Sequence, residues 1–502
     1  MSTIAILTLL ACGFLASPLK AQETTVKTAA GARYVPQKLS ELPQIHGARI
    51  IGATPGHPFL FRIPVTGKGP LVYSAKNLPK GLILDTKTGV ISGALAGEGT
   101  TEVILNVRGA KGSGHRQFTI VGGEHKLALT PPMGWNSWNV WAGAVDQEKV
   151  KAAADELINT GLAAHGYLYI NVDDTWEAGR DAQGNILTNK KFPDMPGLSN
   201  YIHKKGLRFG IYSSPGTLTC AGFTASYQHE DQDAVTYAAW GVDYLKYDWC
   251  SYGDIAKDDK SIAAYMKPYQ VMGSSLGKVN RDILYSLCQY GMGDVWKWGS
   301  DPSVNGNAWR TTGDITDNWH SLKSIIESQA GHENYSAPGH WNDPDMLMVG
   351  IVGFGKTHPT GLTPNEQLLH ISMWSMLSAP LLIGCDMTRL DKFTVDLLSN
   401  DEVIDIDQDP LGKAASQIVK NGTSEVWSRQ LFDGTHALSL VNMGDGAQKI
   451  TVKWSDAGIT GSVSVRDLWL HKNIGLSKDN YTVEVPAHGC VLLKVSTSKE
   501  QK

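Results

Sequence analysis

The stretch GVDYLKYDWC, residues 241–250, opens as an apolar run and closes on charge. Val242, Tyr244, Leu245 and Tyr247 suit a buried strand, yet Lys246 and Asp248 sit in the same run, and Trp249 and Cys250 follow. A buried, unpaired carboxylate is costly. Asp248 therefore either has a cationic partner or stands at an open strand end where chemistry is done. In a barrel of parallel strands, functional groups gather where the strands run out at their C-terminal ends.

Working outward, other strand-like segments recur: YLYINV, LRFGIY, DILYSL and APLLIG. Helical patterns lie between them. In DQEKVKAAADELINTGL, Asp146 is placed as an N-cap and Gly161 as a stop. Strand–helix units repeated over residues 128–412 predict a parallel α/β fold of the size of a (β/α)8 barrel. No G-x-G-x-x-G or Walker loop follows a strand, which disfavours a nucleotide-binding sheet.

The flanks read differently. Residues 46–124 hold short strands, FLFRIPV, LVYSA, GLILD, GVISGAL, TEVILNV and RQFTIV, between turn signals, which predicts a small β-sandwich. The segment NLPKGLILDTKTGVISG within it resembles immunoglobulin-like modules of bacterial secreted proteins, and it carries no catalytic cluster. A packing or spacer role is expected for it, with carbohydrate binding as the other reading. Residues 413–502 alternate again, in SEVWSRQL, HALSLVNM, KITVKW, SVSVRDLWL and CVLLKVS, and predict a C-terminal β-sandwich. Residues 22–45 are polar and read as a linker.

The first 21 residues are apolar with a small-residue end, as in a secretory signal peptide cleaved between Ala21 and Gln22. Residues 9–12 also resemble a lipoprotein processing box at Cys12, the lesser reading, because the apolar stretch continues past it. The expected location is periplasmic or extracellular. No later stretch reaches the about 18–20 apolar residues of a membrane helix. The net charge of -4 over 502 residues, without a lysine-arginine block, argues against nucleic acid as a partner. Six cysteines make no disulfide-dense scaffold, and their spacing gives no zinc signature.

Several strand-like segments finish on polar groups beside tryptophans. Asn136 and Trp138 end one; Asp173, Asp174 and Trp176 another; Tyr212 and Ser213 a third. Further along come Cys288, Gln289 and Tyr290, then Arg310 and Asp314, then Asn342, Asp343 and Asp345. Carboxylates grip hydroxyls and aromatic faces cover sugar rings, so the set predicts a carbohydrate pocket. Glycosidic cleavage needs paired carboxylates, one ionised as nucleophile and one protonated as acid. Lys246 is expected to hold Asp248 ionised, and a drier setting to raise the partner's pKa. Spacing alone leaves several Asp pairs able to serve.

At these residues the chain resembles glycoside hydrolase family 27, the α-galactosidase and α-N-acetylgalactosaminidase family. The motifs are PPMGWNSWN (131–139), YINVDDTW (169–176), KKGLRFGIYSSPG (204–216), TCAGF (219–223), YLKYDWC (244–250), WRTTGDI (309–315), WNDPDML (341–347), SAPLLIGCDM (378–387) and DQDPLGK (407–413), in family order. The resemblance implies Asp248 as nucleophile and Asp314 as acid/base of a retaining exo-glycosidase, with carboxyl groups roughly 5–5.5 Å apart. It implies that Asp173 and Asp174 hold the 4- and 6-hydroxyls of galactose and Lys246 the 3- and 4-hydroxyls. Trp138 is expected to cover the ring, Tyr212 and Met346 to line the pocket, and Arg310 to contact the 2-hydroxyl region. Cys288, Gln289 and Asp345 are implied as further substrate contacts. The family's bridge implies a Cys220–Cys250 disulfide.

One departure stands out: many members have Cys-Glu-Trp where this chain has Cys288-Gln289-Tyr290. Gln289 can still bond a 2-hydroxyl. The resemblance implies no metal or organic cofactor, and a galactose-containing oligo- or polysaccharide as substrate. The same mechanism on terminal α-N-acetylgalactosamine or β-L-arabinopyranose is the alternative. A non-catalytic carbohydrate-binding protein is the remote one.

Overall fold

The computed structural model describes residues 32–497. At its centre is an eight-stranded parallel sheet. Its strands are β1 (Met133–Asn136), β2 (Tyr169–Asn171), β3 (Arg208–Ser213), β4 (Tyr244–Asp248), β5 (Leu284–Cys288), β6 (Ala308–Arg310), β7 (Trp341–Asp343) and β8 (Leu381–Ile383). Neighbours in sequence pair from β1 to β7, and β1 also pairs with β8. A parallel bridge between Leu347 and Ile383, with the Leu347 amide donating to the Leu382 carbonyl at 2.8 Å, joins the β7 side to β8. The sheet thus closes into the expected barrel.

Helices cover the outside: α1 (Gln147–Asn159), α2 (Met195–His203), α3 (Glu230–Trp240), α4 (Ile262–Leu276), α5 (Trp319–Ser328), α6 (Pro364–Met376), α7 (Lys392–Leu398) and α8 (Asp401–Asp407). The cap expected for α1 forms, since the Asp146 side chain accepts from the Lys149 amide at 2.9 Å. Gly161 follows at φ +85°, the left-handed turn that ends such helices. The alternation of strand and helix breaks once. Between β5 and β6 there is only a 3-10 turn, Val295–Lys297, and that connection packs as a loop on α4, where Gln270 donates to Ser303 Oγ at 2.8 Å.

Period-two alternation sorts the residues of β4. Leu245 and Tyr247 are fully buried in the large core beneath the helices. Tyr244 points the other way, into a barrel-interior cluster with Tyr169, Leu284, Met346 and Leu382. Lys246 and Asp248 share that inward face, one and two steps nearer the open end.

The N-terminal module is the expected sandwich, a four-stranded sheet facing a three-stranded one. Phe61 and Phe118 stack across it at 4.9 Å. It docks on the end of the barrel where the strands begin. Arg208, the first residue of β3, donates to the Leu60 carbonyl at 2.9 Å, and Asp282, just before β5, accepts from the Thr54 amide at 2.8 Å. This is the end opposite Asp248, so the module adds no wall to the barrel mouth. The C-terminal sandwich packs on α6, where Trp469 donates to Ser372 Oγ at 2.8 Å and Arg429 to the Ser375 carbonyl at 2.9 Å. That explains why α6 is buried on every face from Glu366 to Met376.

Residues 32–45, expected as a linker, are instead a strap. Tyr34 is 3% exposed against Phe393, and Arg33 pairs with the buried Asp467 at 2.6 Å. The polar composition reflects ion pairs with other parts of the chain. Asp401 anchors the same junction. Its carboxylate accepts from Gln37 at 2.6 Å, His165 at 2.7 Å and His46 at 3.0 Å. Burial works against its charge, but the bonds to His165 and His46 prevail and hold its pKa well below the usual range. A depressed carboxylate contributes stability above its unfolded pKa and loses it as pH falls through the folded value. Asp401→Ala is expected to destabilise the protein by about 3–5 kcal/mol, read as an earlier denaturant midpoint at pH 7.

The signal segment, Cys12 and residues 22–31 lie outside the described residues. Among the described residues no helix is long and apolar enough to cross a membrane.

Candidate active site

Parallel registry brings the strand ends level. Asp248 sits opposite Cys288, Lys246 opposite Tyr212 and Ser286, and Arg310 opposite Asp343. The C-terminal ends of β1 to β7 therefore converge on one polar mouth. At β1, Asn136 donates to Asp173 Oδ2 at 3.0 Å, while its own oxygen accepts from the Trp138 amide at 2.9 Å. Trp138 packs against the interior cluster that holds Met346. Asp173 and Asp174 follow β2, 1% exposed each. Asp174 accepts from the Ala221 amide at 2.8 Å, yet burial keeps its pKa raised.

Lys246 donates to Asp173 Oδ2 at 2.9 Å. Burial opposes its charge, but Asp173 above all, with Cys288 and Asp248, holds its pKa well above that of an ordinary lysine. Its direct ion pair is thus with Asp173, and the expected pull of Lys246 toward an ionised Asp248 acts through space, against burial. Tyr212, 1% exposed, lies below the ammonium, 5.3 Å from Lys246 Nζ to the ring centre.

The hydrogen bond to Asp248 comes instead from the Tyr290 hydroxyl, which donates to Oδ1. Burial lifts the Asp248 pKa to about 6 against the lowering pull of Lys246, the Tyr290 bond and Arg310. Below Asp248 the disulfide forms as expected, between Cys220 and Cys250. Tyr212 Oη lies 3.3 Å from Cys250 Sγ. Cys220, Cys250 and Asp248 cluster closely enough to suggest a cation site, but sulfurs tied in a disulfide offer no thiolate.

Arg310 organises the other side. It contacts Asp345 Oδ2 at 2.8 Å, Asp314 Oδ1 at 3.1 Å and Cys288 Sγ at 3.6 Å. Asp345 also accepts from the Ile315 amide at 2.9 Å and the Met346 amide at 2.8 Å, so it holds the Asp314 loop and the Met346 backbone in place. Asp343 beside it is lifted to about 6 by burial, against Arg310. The Asp314 side chain is 64% exposed. The expected electrostatic contrast is therefore reversed in the free protein. Asp248 occupies the dry setting and Asp314 the wet one, because β4 ends inside the barrel while Asp314 rides a loop four residues past β6.

A second correction concerns Gln289. It is fully buried, and neither amide atom reaches the surface or finds a protein partner. Tyr290, at φ +57°, turns the chain so that its own side chain enters the mouth. Gln289→Met is expected to leave kcat/KM unchanged within about twofold and to be neutral or mildly stabilising, as when an unpaired buried amide is replaced by an apolar group of similar shape. A tenfold loss would restore Gln289 to the pocket.

If Asp248 must be ionised to act, activity falls as pH drops through its pKa. The acid limb of kcat/KM, which reports the free enzyme, is expected to have its midpoint near pH 6. Sequence reasoning placed Asn136 at a strand end without its bond to Asp173, and passed over Glu177. Glu177 is fully buried near Asp174, and burial raises its pKa well above normal.

Residues 130–409 match the family described as Alpha galactosidase A. Residues 421–495 match its C-terminal beta sandwich domain, and residues 44–122 a family described as Putative Ig domain. Alpha-galactosidase 2 of Arabidopsis thaliana is 41% identical over 379 residues, 74% of this chain and 91% of that protein. A crystal structure from Bacteroides fragilis, described as a putative alpha-galactosidase/melibiase, superimposes with TM-score 0.86 at 35% identity, covering 90% of this chain and 98% of that one. The alpha-galactosidase of Saccharomyces cerevisiae solved with raffinose gives TM-score 0.68 at 27% identity over 75% of this chain and all of that one.

Proposed function

The chain belongs to the alpha-galactosidase A family and is a glycoside hydrolase, and on that premise we propose that it releases terminal α-D-galactosyl residues by double displacement. Asp248 attacks the anomeric carbon while Asp314 gives its proton to the leaving oxygen. Asp314 then takes a proton from water, whose oxygen attacks the same carbon and frees the Asp248 carboxylate. The observation that carries this reading is the linked set at the barrel mouth. A buried carboxylate at the end of β4 and an open one after β6 are joined through Tyr290 and Arg310.

In the free protein the Asp314 side chain stands in water beside Arg310. Filling the mouth with a sugar removes that water and prepares it to carry a proton. Asp173, Asp174 and Lys246 grip the far hydroxyls, Trp138 covers the ring, and Tyr212, Met346, Cys288 and Arg310 shape the wall. The substrate is a galactose-bearing oligo- or polysaccharide, a reading supported by the yeast relative solved with raffinose. The apolar first 21 residues support export to the periplasm or beyond.

The test is initial rates on p-nitrophenyl α-D-galactoside, α-N-acetyl-D-galactosaminide and β-L-arabinopyranoside. The galactoside is expected to dominate. Dominance of either other sugar would keep the chemistry and overturn the substrate.

A further inference from the structure

Tyr290 is a residue the carboxylate chemistry does not call for. Its backbone is in the left-handed region, φ +57°, followed by Gly291 at φ +81°. A tyrosine there is strained, and such strain persists where surrounding contacts over-determine it. Those contacts are specific. The Gly291 amide donates to the Arg310 carbonyl at 3.0 Å, and Arg310 lies 5.9 Å from the centre of the Tyr290 ring. The phenol oxygen lies 3.7 Å from Cys220 Sγ of the bridge and donates to Asp248 Oδ1. Among the described residues no hydrogen bond reaches Asp248 Oδ2.

The geometry points to Tyr290 as a positioning residue that holds Oδ1, leaves Oδ2 free to bond the sugar, and assists the departure of Asp248 in the second half-reaction. This rests on Asp248 being the nucleophile. In the first half-reaction Oδ2 forms its bond to the anomeric carbon as the glycosidic bond breaks. The intermediate is then an ester whose carbonyl oxygen is Oδ1, still receiving the phenol hydrogen bond. When water attacks, the C–Oδ2 bond breaks, and the electron pair returns to a carboxylate that the same bond stabilises. The phenol never gives up its proton. Burial, then Cys288 and Asp248, raise its pKa, so it remains a neutral donor.

The charged and titratable groups facing Asp248 are Asp173 from the β2 end, Tyr212 from β3, Lys246 from β4, Tyr269 from α4, Cys288 from β5 and Arg310 from β6. All of them persist when only the phenol oxygen is removed. Tyr290→Phe keeps the ring and the turn, so it isolates that hydrogen bond.

With 2,4-dinitrophenyl α-galactoside, Tyr290→Phe is expected to lower kcat and KM together by about 10- to 100-fold, the worth of a hydrogen bond to a charged group. It should leave kcat/KM at pH 8 within about threefold, as expected when only the second half-reaction slows. A stoichiometric burst of dinitrophenolate should appear, and the acid limb of kcat/KM should move to higher pH, since a bond that favours the ionised carboxylate is gone. Equal losses in kcat and kcat/KM, or an unmoved acid limb without a burst, would overturn the proposal. Failure of the underlying reading would look different: an inactive wild-type protein, or full activity after Asp248→Asn.

Discussion

Asp248→Asn is expected to lower kcat on p-nitrophenyl α-D-galactoside by at least about 10,000-fold, the scale on which enzymes lose activity when their nucleophile is removed. The amide is nearly the same size and can still accept from Tyr290, so the pocket keeps its shape, but it cannot form the ester. The same change should not weaken the fold. Asp248 is held in a setting that lifts its pKa to about 6. A carboxyl whose folded pKa is raised binds its proton more tightly when folded, so stability falls as pH rises from the unfolded value to the folded one. At pH 7 the ionised group opposes folding, and the neutral amide removes that cost. The paired result, lost turnover with equal or greater thermal stability, is measured by initial rates and a melting curve on one preparation. Loss of both together would make Asp248 a structural residue.

Asp314→Ala is expected to act in a way that depends on the leaving group. Protonation of the leaving oxygen contributes about 100- to 10,000-fold. On raffinose, whose leaving group is a sugar hydroxyl, kcat/KM should fall by about that much. On 2,4-dinitrophenyl α-galactoside, whose leaving group needs no proton, kcat/KM should stay within about tenfold. Hydrolysis of the intermediate still needs a base, so kcat on the activated substrate should fall. Azide, which needs no base, should restore it and yield α-galactosyl azide. The exposure of Asp314, 64% in the side chain, leaves room for the small anion. Equal losses on both substrates would remove Asp314 from proton transfer and leave it as a partner of Arg310.

Much of this was legible in the residues. The alternation that buries Leu245 and Tyr247 while turning Lys246 and Asp248 inward follows from period two in a single strand. The cap of α1 follows from Asp146 and Gly161. What could not be read were features set by distant chain. The closure of the barrel depends on Leu347 meeting Ile383. The strap at residues 32–45 gains its order from Asp467 and Asp401, hundreds of residues away. The dry and wet settings of the two acids were read in reverse because burial belongs to position: β4 stops inside the barrel, and the loop after β6 carries Asp314 out. Gln289 and Tyr290 were weighed by chemistry, when the left-handed turn at Tyr290 decides which side chain enters the pocket.

The central claim is that Asp248 forms a covalent bond to the sugar. A 5-fluoro-α-galactosyl fluoride, whose fluorine slows breakdown of the intermediate, should raise the intact mass by one fluorogalactosyl unit. Peptide mapping should then place that mass on Asp248, with no label in Asp248→Asn. A label on another carboxylate, or release of product with inverted anomeric configuration and no label, would contradict the account.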